Sequence, residues 1–195
     1  MTKVSRFRQL VFALITTLLT VGGVRADDRT AASACQEGVE LFLSNPSKQT
    51  LSTLDGGDDS GCWAFVSSTS ETLDQLLLHV ESGDFWSARF LAEHLSQLDG
   101  GELEDSLVAL GQFGDHHATE LLRYAKNRVI SDRQMVDALV MLPLSLSDDF
   151  DAQLRWMRNR RSRVASVYDN DLAIERALAL RSIDSHISEI EAARR

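Results

Sequence analysis

From residue 31 onward, apolar side chains recur every three or four positions, the spacing that turns one face of a helix toward a core. Ala31, Ala34, Cys35, Val39 and Phe42 predict a first helix over 31–43, stopped ahead of Asn45-Pro46. Ser68-Thr69-Ser70-Glu71 has the form of a capping box, in which a serine oxygen and a glutamate satisfy unpaired backbone donors. It predicts a second helix running to about Glu81 and closed at Gly83. Past Asp84, the residues Phe85, Ala88, Leu91, Ala92 and Leu95 share a face until Asp99-Gly100-Gly101 breaks the pattern. Helices are expected next over 102–113 and 118–126. Another capping box, Ser131-Asp132-Arg133-Gln134, leads a helix through Leu142 that Pro143 ends. Tyr168-Asp169-Asn170-Asp171 reads as a turn, followed by two closing helices at about 171–180 and 183–193. Ile183, Ile187 and Ile190 line the last one. With two prolines in the chain and Ala, Leu, Glu and Arg abundant, helix propensity agrees with the periodicity: the fold is expected to be all-α.

The helical pattern also repeats. Residues 74–84 align without a gap on residues 105–115, thirty-one positions on, sharing aspartate, leucine and a closing Gly-Asp. At a spacing of thirty-two, Leu103, Asp105, Leu107, Val108 and Leu110 fall on Met135, Asp137, Leu139, Val140 and Leu142. The segment 122–128 likewise falls on 154–160, keeping Leu, Arg, Asn and Arg in place. Periods of this length belong to stacked helical hairpins that bury their apolar faces on one another. The glycine of each Gly-Asp phrase is expected to close a helix, and Asp84 and Asp115 to start the next one.

The stretch Leu107-Val108-Ala109-Leu110-Gly111-Gln112-Phe113-Gly114-Asp115, followed by Ala118, Leu121 and Leu122, resembles the short HEAT-like, armadillo-type repeat. The resemblance spans roughly 70–160 and is clearest over 103–128; in the following unit Pro143 and Leu144-Ser145-Leu146 replace the glycine phrase. It implies a single compact domain built as an antiparallel helical-hairpin stack, an α-solenoid that binds proteins or peptides and carries no chemistry of its own.

Charge and cysteines bear on compartment. Lys3, Arg6 and Arg8, an apolar run over 10–21 and Val24-Arg25-Ala26 have the form of a cleaved signal peptide over 1–26. The apolar run is well short of the ~20 residues a membrane span needs. Periplasmic or secreted localisation is expected, with no stable membrane anchor after cleavage. The formal net charge is −9, and losing a segment with four cations and no acid makes it four units more negative. That balance argues against nucleic acid as a partner, because phosphate must be met by cations. In an oxidising compartment Cys35 and Cys62 are expected to form one disulfide, tying 27–68 together ahead of repeats over 69–160 and capping helices over 161–195.

Candidate chemistry is thin. His116, His117 and Glu120 make a metal-like grouping, but two ligands one turn apart are too few for a site and a solvated first turn explains them. The acidic loop 55–61 breaks the alternation of a calcium-binding loop at Gly57 and Ser60. No nucleophile motif or phosphate loop is visible, so no cofactor and no catalytic residue is expected. One cluster opposes the overall charge: arginines at 155, 158, 160, 161 and 163 with Trp156 and Met157 among them. Arg155, Trp156, Arg158 and Arg161, with Arg123 brought near by the repeat, form the candidate surface for a partner with an acidic face, since arginine and tryptophan concentrate at binding hot spots. The alternative for these arginines is ion pairing within an acidic fold. The function expected is protein–protein interaction, as an inhibitor, an immunity-type protector or an adaptor. A structural or assembly factor of the cell envelope is the alternative, ahead of a hydrolytic or metal-dependent enzyme.

Overall fold

The computed structural model describes residues 26–54 and 60–194, and among them every regular element is helical. The leader segment and most of the acidic loop therefore lie outside the described residues. Ten α-helices follow in order: α1 (Ala26–Ser44), α2 (Lys48–Leu54), α3 (Ser60–Ser68), α4 (Ser70–Glu81), α5 (Phe85–His94), α6 (Gly100–His116), α7 (Ala118–Lys126), α8 (Asp132–Val140), α9 (Phe150–Ala165) and α10 (Ala173–Ala193). Short 3-10 turns at Leu95–Gln97, Leu144–Leu146 and Asn170–Leu172 bridge some of the gaps.

Helices α4, α6, α8 and α10 form a row in which each packs on the next, while α5 and α7 pack against α6 and its neighbours. Helix α9 departs from this order. It lies chiefly along α10, with smaller contacts to α6 and α7 and little direct backbone approach to α8, the helix before it. One buried apolar cluster joins both ends, from Val39 and Phe42 through Leu76, Leu110 and Leu122 to Ile183 and Ile190.

At the amino-terminal end the predicted disulfide is present. Cys35 on α1 and Cys62 on α3 are bonded, with their Cα atoms 4.9 Å apart. Beneath it, Trp63 stacks on His94 with ring centroids 4.7 Å apart, and the edges of Phe42 and Trp63 pack on Phe90. His94 is thus a packing residue, its Nδ1 within 2.9 Å of the Phe90 carbonyl.

The helix ends separate good sequence signals from poor ones. Gly83 has φ +89, the left-handed conformation that glycine adopts without a Cβ penalty. The Gly83 and Asp84 amides donate back to Val80 and His79, closing α4 in a Schellman arrangement. Asp84 then starts α5, accepting the Ser87 amide at 2.7 Å. The Ser131–Gln134 capping box forms in full. The one expected at residues 68–71 does not: Ser68 ends α3 and donates to the Phe65 carbonyl, and Thr69, with no side-chain cap, precedes α4. The two closing helices are one continuous helix, α10, because nothing between 180 and 183 supplies a breaker.

The second Gly-Asp phrase behaves unlike the first. Helix α6 continues straight through Gly111, Gly114 and Asp115 to His116, and turns at His117. Both glycines are close-approach positions. A Cβ on Gly111 would sit 2.2 Å from the Ala138 carbonyl oxygen, and one on Gly114 would sit 2.6 Å from Leu121 Cδ2. Their missing side chains let α8 and α7 press onto α6. Asp115 consequently caps nothing and points elsewhere.

Candidate functional site

Asp115 points at α9. Its two carboxylate oxygens accept from Arg160 Nε and Nη2, each at 2.8 Å, and Oδ2 also accepts from Trp156 Nε1 at 3.0 Å. This is the two-pronged geometry in which guanidinium and carboxylate match best. Arg160 is only 1% exposed, and its third nitrogen, Nη1, donates to the carbonyls of Ala138, Leu139 and Met141 at 3.0–3.3 Å. Those carbonyls belong to the end of α8, where the last oxygens of a helix have no partner of their own. A single side chain therefore ties α9 to α6 and caps α8, across the gap where α8 and α9 backbones barely meet. Gly111 makes room for it, since a Cβ there would also crowd the guanidinium at 3.1–3.2 Å.

Outside this link, α6 and α9 diverge into an open recess of about 460 Å³. From α6 it is lined by Gln112, Asp115 and His116; from α9 by Ala152, Arg155, Trp156, Asn159 and Arg163. Arg155, Asn159 and Arg163 are spaced by four and make one exposed stripe along α9. A second hollow continues from it around the α6–α7 corner, sharing Asp115, His116 and Arg163.

Of the expected partner-binding residues, Arg155 and Trp156 line this recess, with Trp156 half-buried on its floor. The other three take part in ion pairs of the fold. Arg158 meets Glu191 at 2.8 Å, Arg161 meets Asp184 at 2.5 Å, and Arg123 lies 3.3 Å from Glu120 and 3.2 Å from Asp169. These pairs perturb the acids. The Asp171 backbone amide, with Arg123 beside it, holds the Asp169 carboxyl below the ordinary carboxylate range, and the bond from Arg161 does the same for Asp184. All seven groups are at least partly exposed to solvent, so each pair contributes little to stability. Arg155 and Arg163, by contrast, have no carboxylate within 4.0 Å and no side-chain hydrogen bond among the described residues.

His116, His117 and Glu120 stay apart in role. His117 leans on Phe113 with centroids 5.0 Å apart, Glu120 pairs with Arg123, and His116 faces the recess. No group of three or more potential metal ligands occurs among the described residues. Nor is any described helix long and apolar enough to cross a membrane. Sequence reasoning saw Arg160 and Arg163 in the cluster but left them out of the candidate surface, and it did not bring Gln112, His116 and Asn159 to the recess. A usable signal was present in the glycine pair on α6: two small residues one turn apart beside an aspartate mark a face that another element approaches closely.

No protein-family model matches the chain, and comparisons with curated proteins and with solved structures give no match.

Proposed function

We propose that this is an exported helical protein that acts by binding another protein, in the manner of an inhibitor, an immunity-type protector or an adaptor. The observation that carries the reading is the recess between α6 and α9. It is open, it sets the half-buried ring of Trp156 beside the guanidinium of Arg155, which has no carboxylate partner among the described residues, and it gathers two arginines on a chain whose net charge is −9. Aromatic and arginine side chains around a concave surface are the usual composition of a binding hot spot. The Cys35–Cys62 disulfide supports export, because such bonds persist in oxidising compartments. The HEAT-like arrangement belongs to the same proposal: the α4–α6–α8–α10 row and the adjacent pairs α4/α5 and α6/α7 are what stacked helix pairs would produce.

The reading is tested by immobilising residues 27–195 and passing envelope and secreted fractions of the native source over it, alongside an Arg155→Glu variant. A protein retained by the native chain and released by the charge reversal supports it. Turnover of an envelope substrate by the chain alone, with no retained protein, overturns it.

A further inference from the structure

The recess is more specific than a positive patch. Helix α9 carries five arginines within nine residues, and three of them settle as the fold requires or permits: Arg160 is buried on Asp115, while Arg158 and Arg161 face α10 carboxylates. Arg155 and Arg163 remain, and both border the same hollow. Asp115 does not neutralise them, because its oxygens already accept three bonds from Arg160 and Trp156. The floor is thus internally balanced, and the rim keeps two full positive charges. In a chain with 29 acidic side chains against 20 basic ones, two exposed arginines in one recess without a carboxylate partner among the described residues are free to meet an anion from outside.

The spacing says what kind. Eight residues of helix separate Arg155 from Arg163, a distance of about 12 Å along the axis. An extended peptide advances about 3.3 Å per residue, so side chains four apart stand about 13 Å apart, and an even spacing keeps them on one face. Asn159 stands midway on the rim, and Gln112 faces it from α6. Their amides offer both donors and acceptors to a peptide backbone running between the arginines. Trp156 supplies the apolar floor for the intervening side chain.

We propose that the α6–α9 recess binds an extended acidic segment of a partner protein, with one carboxylate on Arg155 and a second, four residues away, on Arg163. This deepens the function proposed above and rests on it. Guanidinium groups fork onto carboxylates, which favours two discrete acidic side chains over a diffuse negative surface.

The test uses residues 27–195 with the disulfide intact and the probe acetyl-Glu-Ser-Ala-Ser-Glu-amide, followed by NMR shifts of the Trp156 indole and the Gln112 and Asn159 amides. Controls are the same peptide with both glutamates replaced by glutamine, a shorter one with the glutamates three apart, and inorganic phosphate. The four-spaced probe is expected to shift all three reporters. It should bind at least tenfold more tightly than either control peptide. Arg155→Gln and Arg163→Gln should each weaken it about tenfold, with unfolding midpoints unchanged because neither side chain has a partner among the described residues. Equal binding of the three-spaced peptide, binding indifferent to both substitutions, or phosphate shifting the reporters while the peptide does not would each overturn the proposal. The two levels are separable. If the probe binds but no native protein is retained, the recess stands and the partner reading falls. If a native protein binds equally to the Arg155→Gln/Arg163→Gln variant, the partner reading stands and the recess falls.

Discussion

The two ends of this molecule hold their helices together by different physics. At the amino-terminal end a disulfide and a cluster of rings, Phe42, Trp63, Phe90 and His94, fasten α1, α3 and α5. At the other end the fastening is polar: Arg160 reaches α6 through Asp115 and α8 through three carbonyls. Apolar packing is tolerant of partner and direction, whereas a buried guanidinium fixes both, because every N–H must find an acceptor in its plane. The polar end also leaves residue at the surface. Helix α9 is rich in arginine to build this link and its neighbouring ion pairs, and the arginines not consumed border the recess. Structure and candidate function thus share one helix there.

The largest expected effect separates the two. Arg160→Ala leaves the Asp115 carboxylate with a single donor and takes one from the carbonyls of Ala138, Leu139 and Met141 at the end of α8, a loss of about 3–5 kcal/mol by analogy with broken buried pairs. Denaturant unfolding measures it; a change below about 1 kcal/mol would mean that apolar contacts alone hold α9. Removing the disulfide by Cys35→Ser/Cys62→Ser releases a loop of 27 positions, a destabilisation of about 3–4 kcal/mol that acts mainly on the unfolded chain. The two changes differ in their local trace. The Trp156 indole resonance should move with Arg160→Ala and stay in place without the disulfide. Movement in both would mean that the ends are not independent.

How much of this was legible beforehand follows the same division. Part of the amino-terminal fastening could be read in advance: the Cys35–Cys62 pair and the place of Phe42 on an apolar helix face are visible along the chain, whereas the ring cluster that Trp63 and Phe90 complete is not. Gly83-Asp84 could also be read, where a glycine needed for φ +89 is followed by a helix-starting acceptor. The identical phrase at 114–115 misled, because a glycine that closes a helix and a glycine that admits a neighbouring helix look alike along the chain. Only the tertiary approach of α7 and α8 distinguishes them. The arginine cluster was visible as a cluster, but its division into buried, paired and free members depends on which carboxylates α6 and α10 bring near. The alignment of Arg128 with Arg160 shows the limit: one sits exposed in a left-handed corner at φ 62, the other lies buried at the centre of the polar link.

The smallest expected effect is a difference of sign in acid. Glu81 closes α4, facing Asp105 on α6; burial first, and the neighbouring carboxylate second, push its carboxyl above the ordinary range. A helix C-terminus adds to the discomfort of a negative charge there. A raised folded-state pKa means that the native protein holds this proton more tightly than the unfolded chain does. The stabilisation is full below the unfolded carboxylate range, about pH 4, and is lost as pH rises through the folded pKa. Glu81→Gln should therefore stabilise at pH 7, by less than about 1 kcal/mol because the group is partly solvated, and change nothing once Glu81 is protonated. Asp169 and Asp184 at the polar end have the opposite sign. Their depressed pKa values give a contribution that is present above the unfolded carboxylate range and lost as pH falls through the lower folded values. Asp184→Asn should cost stability at pH 7 and nothing in strong acid. Urea midpoints of the two variants between pH 2.5 and 7 settle the matter. If Glu81→Gln destabilises at pH 7, the carboxylate has a cationic partner in solution, and the contrast between the two ends loses its electrostatic half.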